Sequence, residues 1–118
     1  MIEIDQSIKT TLKDVVTDNN SQRLTILTND GLRIVIIIPH NVFEWFIDVF
    51  DGQNKKVHTN WTDHYGDTEK NLKIEMKKSV EGFIQTVTRY PVRIVMHDKS
   101  NRSILQVCKD EVWTDNIY

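Results

Sequence analysis

Residues Trp45–Gly66 read WFIDVFDGQNKKVHTNWTDHYG, and the rest of the chain is arranged around them. Apolar and polar residues alternate with period two from Trp45, the pattern breaks at Asp51-Gly52, and it resumes at Val57. Two half-buried strands joined by a short turn produce this pattern, so it predicts a β-hairpin of Trp45 to Asp51 and Lys55 to Asn60. In the first strand Trp45, Ile47 and Val49 share one face, while Phe46, Asp48 and Phe50 share the other. Asp48 needs a partner or water, because an isolated buried carboxylate is costly. The return strand runs into Trp61-Thr62-Asp63-His64-Tyr65, which is too polar for a core and too aromatic for a plain linker.

Upstream, Arg23 to Thr28 and Leu32 to Ile38 form two strand-like runs around Asn29-Asp30-Gly31. Asp-Gly accepts the positive φ of tight hairpin turns, so these runs should pair antiparallel. Ile34, Ile36 and Ile38 alternate with Val35 and Ile37, and apolar residues on both faces mark an interior strand, expected to be covered on both sides or nearly so. Pro39 ends it, having no N–H for the ladder. Nearer the N-terminus, Asp5-Gln6-Ser7 offers capping oxygens, and Ile8, Leu12, Val15 and Val16 follow at helical spacing, which predicts a short helix from about Gln6 to Thr17. Asp18 to Ser21 is a turn-rich linker.

Downstream, Asp67 is positioned to cap a long helix that carries Glu69 in its first turn and runs to about Thr88. Leu72, Met76, Val80, Phe83, Ile84 and Val87 fall within an arc of about 120° at 100° per residue. Tyr90-Pro91 breaks the helix. Val92 to Met96 and Ser103 to Cys108 are strands around the turn sequence Asp98-Lys99-Ser100-Asn101. The tail from Asp110 to Tyr118 is either a short edge element or a loose end. The expectation is one α+β domain over residues 1–118, an antiparallel sheet of about six strands with the long helix packed on one face.

Composition narrows the function. Hydrophobic content of 39% and charged content of 27% fit a soluble globular chain. The longest apolar run, Ile34 to Ile38, is far shorter than the roughly 18 to 20 residues of a membrane span. No basic region followed by an apolar one opens the chain, and a single cysteine, Cys108, suits a reducing compartment, so the expected location is the cytoplasm. The net charge of −2 conceals a division: ten acids against six bases up to residue 67, four against nine over residues 68–109, and three acids thereafter. A nucleic-acid binder usually shows a basic excess overall.

Motifs for chemistry are sparse. His58 and His64 with Asp63 match no zinc spacing, and one cysteine adds little. Asp63, His64 and Tyr65 supply acid, base and donor types, but adjacent loop residues seldom converge on one reacting atom. No glycine-rich phosphate loop is present. Neither a metal nor a cofactor is expected. Lys70, Lys73 and Lys77, with Arg93 or Arg102, would be the phosphate contacts of a small nucleic-acid-associated or regulatory module, the alternative reading. Aromatic residues do not interleave with these bases as they do on single-strand-binding sheets. A protein-binding surface fits better, made of the hairpin and the loop after it: Phe46, Asp48, Phe50, His58, Asn60, Trp61, Asp63, His64 and Tyr65. Its aromatic rings and carboxylates are the chemistry of interface hot spots.

With its size, low cysteine content, mild acidity and the FIDVFD…NWTDHYGD segment, the chain resembles the small immunity proteins of bacterial toxin systems, including contact-dependent inhibition. The resemblance implies tight binding to a toxin domain made by the same cell, and no catalysis of its own.

Overall fold

The computed structural model describes residues 2–97, 99–115 and 117. Two helices, α1 (Gln6–Lys9) and α2 (Glu69–Arg89), accompany eight strands. These are β1 (Asp14–Thr17), β2 (Ser21–Leu27), β3 (Arg33–Pro39), β4 (Glu44–Phe50), β5 (Lys56–Asp63), β6 (Val92–Met96), β7 (Ser103–Lys109) and β8 (Val112–Thr114). All pairings are antiparallel, and the fold is α+β as expected. The six anticipated strands are joined by β1 and β8 and divide into two sheets, β1-β2-β3-β4-β5 and β6-β7-β8.

The central sheet buries one face. Leu24, Ile26, Ile34, Ile36, Ile38, Trp45, Ile47 and Val49 are all buried, with the period of two that their sequence positions dictate. Helix α2 lies on that face through Met76, Val80, Phe83, Ile84 and Val87. Each such side chain contributes roughly 1.5–3 kcal/mol through burial. Phe83 meets Trp45 edge to face, with ring centroids 5.4 Å apart. Val92, Leu105 and Val107 of the small sheet complete the same core.

Several boundaries depart from expectation for identifiable reasons. The helix over Gln6 to Thr17 is one turn only. Thr10 and Thr11 hydroxyls donate back to Ser7 O (2.8 Å) and Ile8 O (2.7 Å), and Asp14–Thr17 instead pairs with β2 as an edge strand. Back-bonding of this kind, together with β-branched Val15, Val16 and Thr17, favours the strand. Ile2 and Ile4 enter the core. The buried Gln22 amide holds this segment, accepting from Ile2 N–H (3.2 Å) and donating to Ile2 O (3.0 Å). Thr68, not Asp67, caps α2, its hydroxyl accepting from Asn71 N–H at 3.1 Å. In the β4–β5 turn the positive φ falls on Asn54 (63°) and not on Gly52, while Asp51 Oδ1 accepts from both Gln53 and Lys55 N–H. Gly31 does take the expected positive φ, 84°, between β2 and β3. The tail forms edge strand β8 and returns Ile117 to the core. Asp98 of the expected β6–β7 turn and Tyr118 of the tail lie outside the described residues.

Candidate binding face on the open side of the sheet

The register of the five strands brings residues far apart in sequence onto the outer face. One row crosses the whole sheet: Val16, Arg23, Ile37, Phe46 and Trp61 are successive cross-strand partners. The adjacent row is Asp14, Thr25, Val35, Asp48 and Thr59. Among the described residues, every buried apolar side chain of these strands points the other way, so this face remains uncovered; β3 is interior to the sheet but covered on one side only, with Val35 and Ile37 half-buried by their strand neighbours. Trp61 is 57% exposed. Phe46 and Ile37 beside it are half-buried, and Val16 at the far end of the row is exposed, so the face offers a mostly apolar stripe of the kind found at interfaces.

The polar groups on the face are held in place. The Asp48 carboxylate accepts from Thr59 Oγ1 at 2.9 Å and lies 3.5 Å from Lys56 Nζ, which supplies the partner its position between two phenylalanines requires. Phe50 lies beneath the Arg33 guanidinium, 4.3 Å from its ring centroid, and Arg33 also donates to Asn54 Oδ1. At the end of β4 and β5, Glu44 stands directly opposite Asp63. The hydrogen bond to Asp63, helped by desolvation and repulsion from the same carboxylate, raises the Glu44 carboxyl above its ordinary pKa. Tyr65, 86% exposed, donates its hydroxyl to Asp63 Oδ2 at 3.0 Å, and this bond raises the phenol's pKa. Like charges opposite one another in a ladder are destabilising, so the free protein maintains this acidic corner at some cost.

Of the nine residues anticipated as a binding surface, Phe46, Asp48, Phe50, Trp61 and Asp63 share this face, with Tyr65 at its rim. Three others are placed elsewhere. His58 and Asn60 are cross-strand partners of the buried Val49 and Ile47 and therefore project to the helix side. His58 is 7% exposed, and its Nδ1 lies 2.8 Å from Ser103 Oγ, which links β5 to β7. Burial lowers its pKa, opposed by the Ser103 contact. His64 turns inward, where its Nε2 accepts from Trp45 Nε1–H at 3.1 Å. An accepting Nε2 requires the neutral ring, which agrees with a pKa lowered mainly by burial. Asp63, His64 and Tyr65 line one open hollow of about 410 Å³ together with Glu44, but His64 Nε2 is already engaged by Trp45 and the Tyr65 hydroxyl by Asp63. Among the described residues no three His, Cys, Asp or Glu side chains are grouped to hold a metal ion.

Sequence reasoning missed Val16, Arg23, Val35 and Ile37, the half of the face that comes from β1 to β3. Their signal lies in register, which becomes visible only once the strands are paired. The helix lysines, by contrast, are partly neutralised: Lys73 pairs with Glu69 (3.3 Å) and Lys77 with Asp5 (3.1 Å). No family model, curated protein or solved structure matches this chain.

Proposed function

We propose that this chain is an immunity protein that binds a toxin domain through the open face of its five-stranded sheet and performs no catalysis. The observation that carries the reading is the uncovered row Val16, Arg23, Ile37, Phe46 and Trp61, flanked by carboxylates at Asp48, Glu44 and Asp63. A mostly apolar row with a charged margin is how specific interfaces divide contact area from steering. The Glu44–Asp63 pair favours a partner that presents lysine or arginine, since one cation placed there relieves the repulsion between them. A protein that covers such a basic surface blocks the toxin's active site or its substrate path.

The test is co-expression with a toxin domain encoded directly beside this gene. Rescue of growth, together with a complex on size-exclusion chromatography, supports the function, and absence of both overturns it. Full protection by folded variants at Asp48, Trp61 and Asp63 would leave the function standing but remove this face as its seat.

A further inference from the structure

In the small sheet β6 is an edge strand, with β7 on one side and no strand on the other among the described residues. Two hydrogen bonds fix the direction of its peptide groups. Cys108 N–H donates to Pro91 O at 2.9 Å and His97 N–H donates to Arg102 O at 2.8 Å. In an antiparallel ladder, residues bonded to the partner strand alternate with residues whose N–H and C=O point away from it. With the register Arg93↔Gln106 and Val95↔Ile104, the residues bonded to β7 are Arg93 and Val95. Val92, Ile94 and Met96 therefore turn their peptide groups outward.

One of these positions is occupied from within the chain. Val92 N–H donates to Asp30 Oδ2 at 2.9 Å, across from the β2–β3 turn. The ladder positions of Ile94 and Met96 have no strand beside them among the described residues. They border a groove of about 560 Å³ whose apolar lining is Leu32, Val57, Val92, Ile94 and Met96. Met96 is 59% exposed there. The rim carries Lys55, Lys56 and Arg93 against two carboxylates, Asp30 and Asp51, which already accept backbone N–H groups.

From this we propose that the groove is a strand-addition site, in which an extended segment of a partner protein pairs with β6 at Ile94 and Met96. The segment carries apolar residues at alternate positions, facing Leu32 and Val57, and a carboxylate at the flank that meets Lys55; Arg93 is already held by Gln106 (2.9 Å) and the Trp113 ring, and Lys56 by Asp48. Main-chain bonds supply affinity in this mode, and the alternate side chains supply selectivity. The site is distinct from the open face of the large sheet, and the inference stands independently of the immunity reading.

The probe is a short peptide of alternating valine and threonine flanked by paired glutamates. A lysine-flanked twin and a version with proline at its centre serve as controls. In ¹H–¹⁵N spectra of the full chain the glutamate peptide should produce saturable shifts at the Ile94 and Met96 amides in the millimolar range and slow their hydrogen exchange. Met96→Pro removes an outward N–H and leaves the β7 ladder intact, so it should weaken binding at least tenfold. Lys55→Glu provides a second route should Met96→Pro not fold, reversing the preference between the glutamate and lysine peptides. Trp61→Ala should leave peptide binding unchanged, which separates this site from the toxin face. Absence of saturable shifts at Ile94 and Met96, or equal binding of the proline-interrupted peptide, overturns the proposal.

Discussion

Replacing Phe83 with alanine tests whether α2 is seated as described. The ring is fully buried against the central sheet and meets Trp45 edge to face at 5.4 Å between centroids. Removing it forfeits burial of about 2–3 kcal/mol. Loss of the aromatic pair adds about 0.5–1.5 kcal/mol. A cavity opens at the junction of helix and sheet, where strands β3 and β4 on one side and a 21-residue helix on the other hinder collapse. The sum agrees with the roughly 3–5 kcal/mol typical of buried Phe→Ala. Urea melts of wild type and Phe83→Ala, followed by tryptophan fluorescence and far-UV circular dichroism, measure it. Trp45 borders the lost ring, so its emission should also shift in the folded variant. A loss below about 1 kcal/mol with an unchanged m-value would mean that Phe83 does not occupy the core and that the helix stripe has been assigned to the wrong face.

Three further outcomes are expected. His58 has a folded-state pKa below its ordinary value of about 6.5, so its contribution to stability is complete above that pH and is lost as pH falls through the folded value. The stability difference between wild type and His58→Gln in urea melts should therefore shrink between pH 7.5 and 5.5, and a constant difference would refute the burial argument. Asp110 and Glu111 hold φ of 51° and 66° in the β7–β8 turn, so Glu111→Gly should stabilise the protein by roughly 0.5–1 kcal/mol, visible as a higher melting temperature. Against a basic toxin domain, Asp63→Ala should slow association and flatten its salt dependence, whereas Trp61→Ala should speed dissociation at a cost of at least about 2 kcal/mol; stopped-flow and surface plasmon resonance separate the two effects.

The elements that could be read in advance are those whose burial repeats along their own length. Strand β4 shows period two because one face is wholly buried, β3 shows instead as an unbroken run of β-branched residues, and α2 shows its apolar stripe because only one side meets the sheet. Strand β1 lacks that property, since all four of its residues are exposed. Nothing in it alternates, and the spacing of Ile8, Leu12, Val15 and Val16 imitated a helix that the threonines interrupt. The N-terminal Ile2 and Ile4 were illegible for a related reason: what holds them is Gln22, a contact spanning twenty residues that no local pattern records. The division into two sheets was equally hidden. A hairpin's own sequence determines that β6 and β7 pair with each other, but not whether either pairs with the edge of another sheet.

The same distinction separates the parts of the binding face. Phe46, Asp48 and Phe50 are assigned to one side of β4 by alternation alone, whereas Trp61 and Asp63, expected in the loop after Asn60, lie within β5, which continues to Asp63 and carries both onto the same face. Counting along β5 with the same alternation would have removed His58 and Asn60, because residues two apart share a face and Trp61 lies an odd number of positions from both. They were grouped with Trp61 by chemical character, and chemical character does not override the pleat. His64, expected on the binding surface with its neighbours Asp63 and Tyr65, is drawn inward instead, because a buried indole N–H needs an acceptor and the imidazole nitrogen supplies it. The residues left on the open face after these two corrections are held by cross-strand pairing and not by proximity along the chain. A surface set by pairing of this kind keeps its geometry when loops move, and a partner can be matched to it before contact.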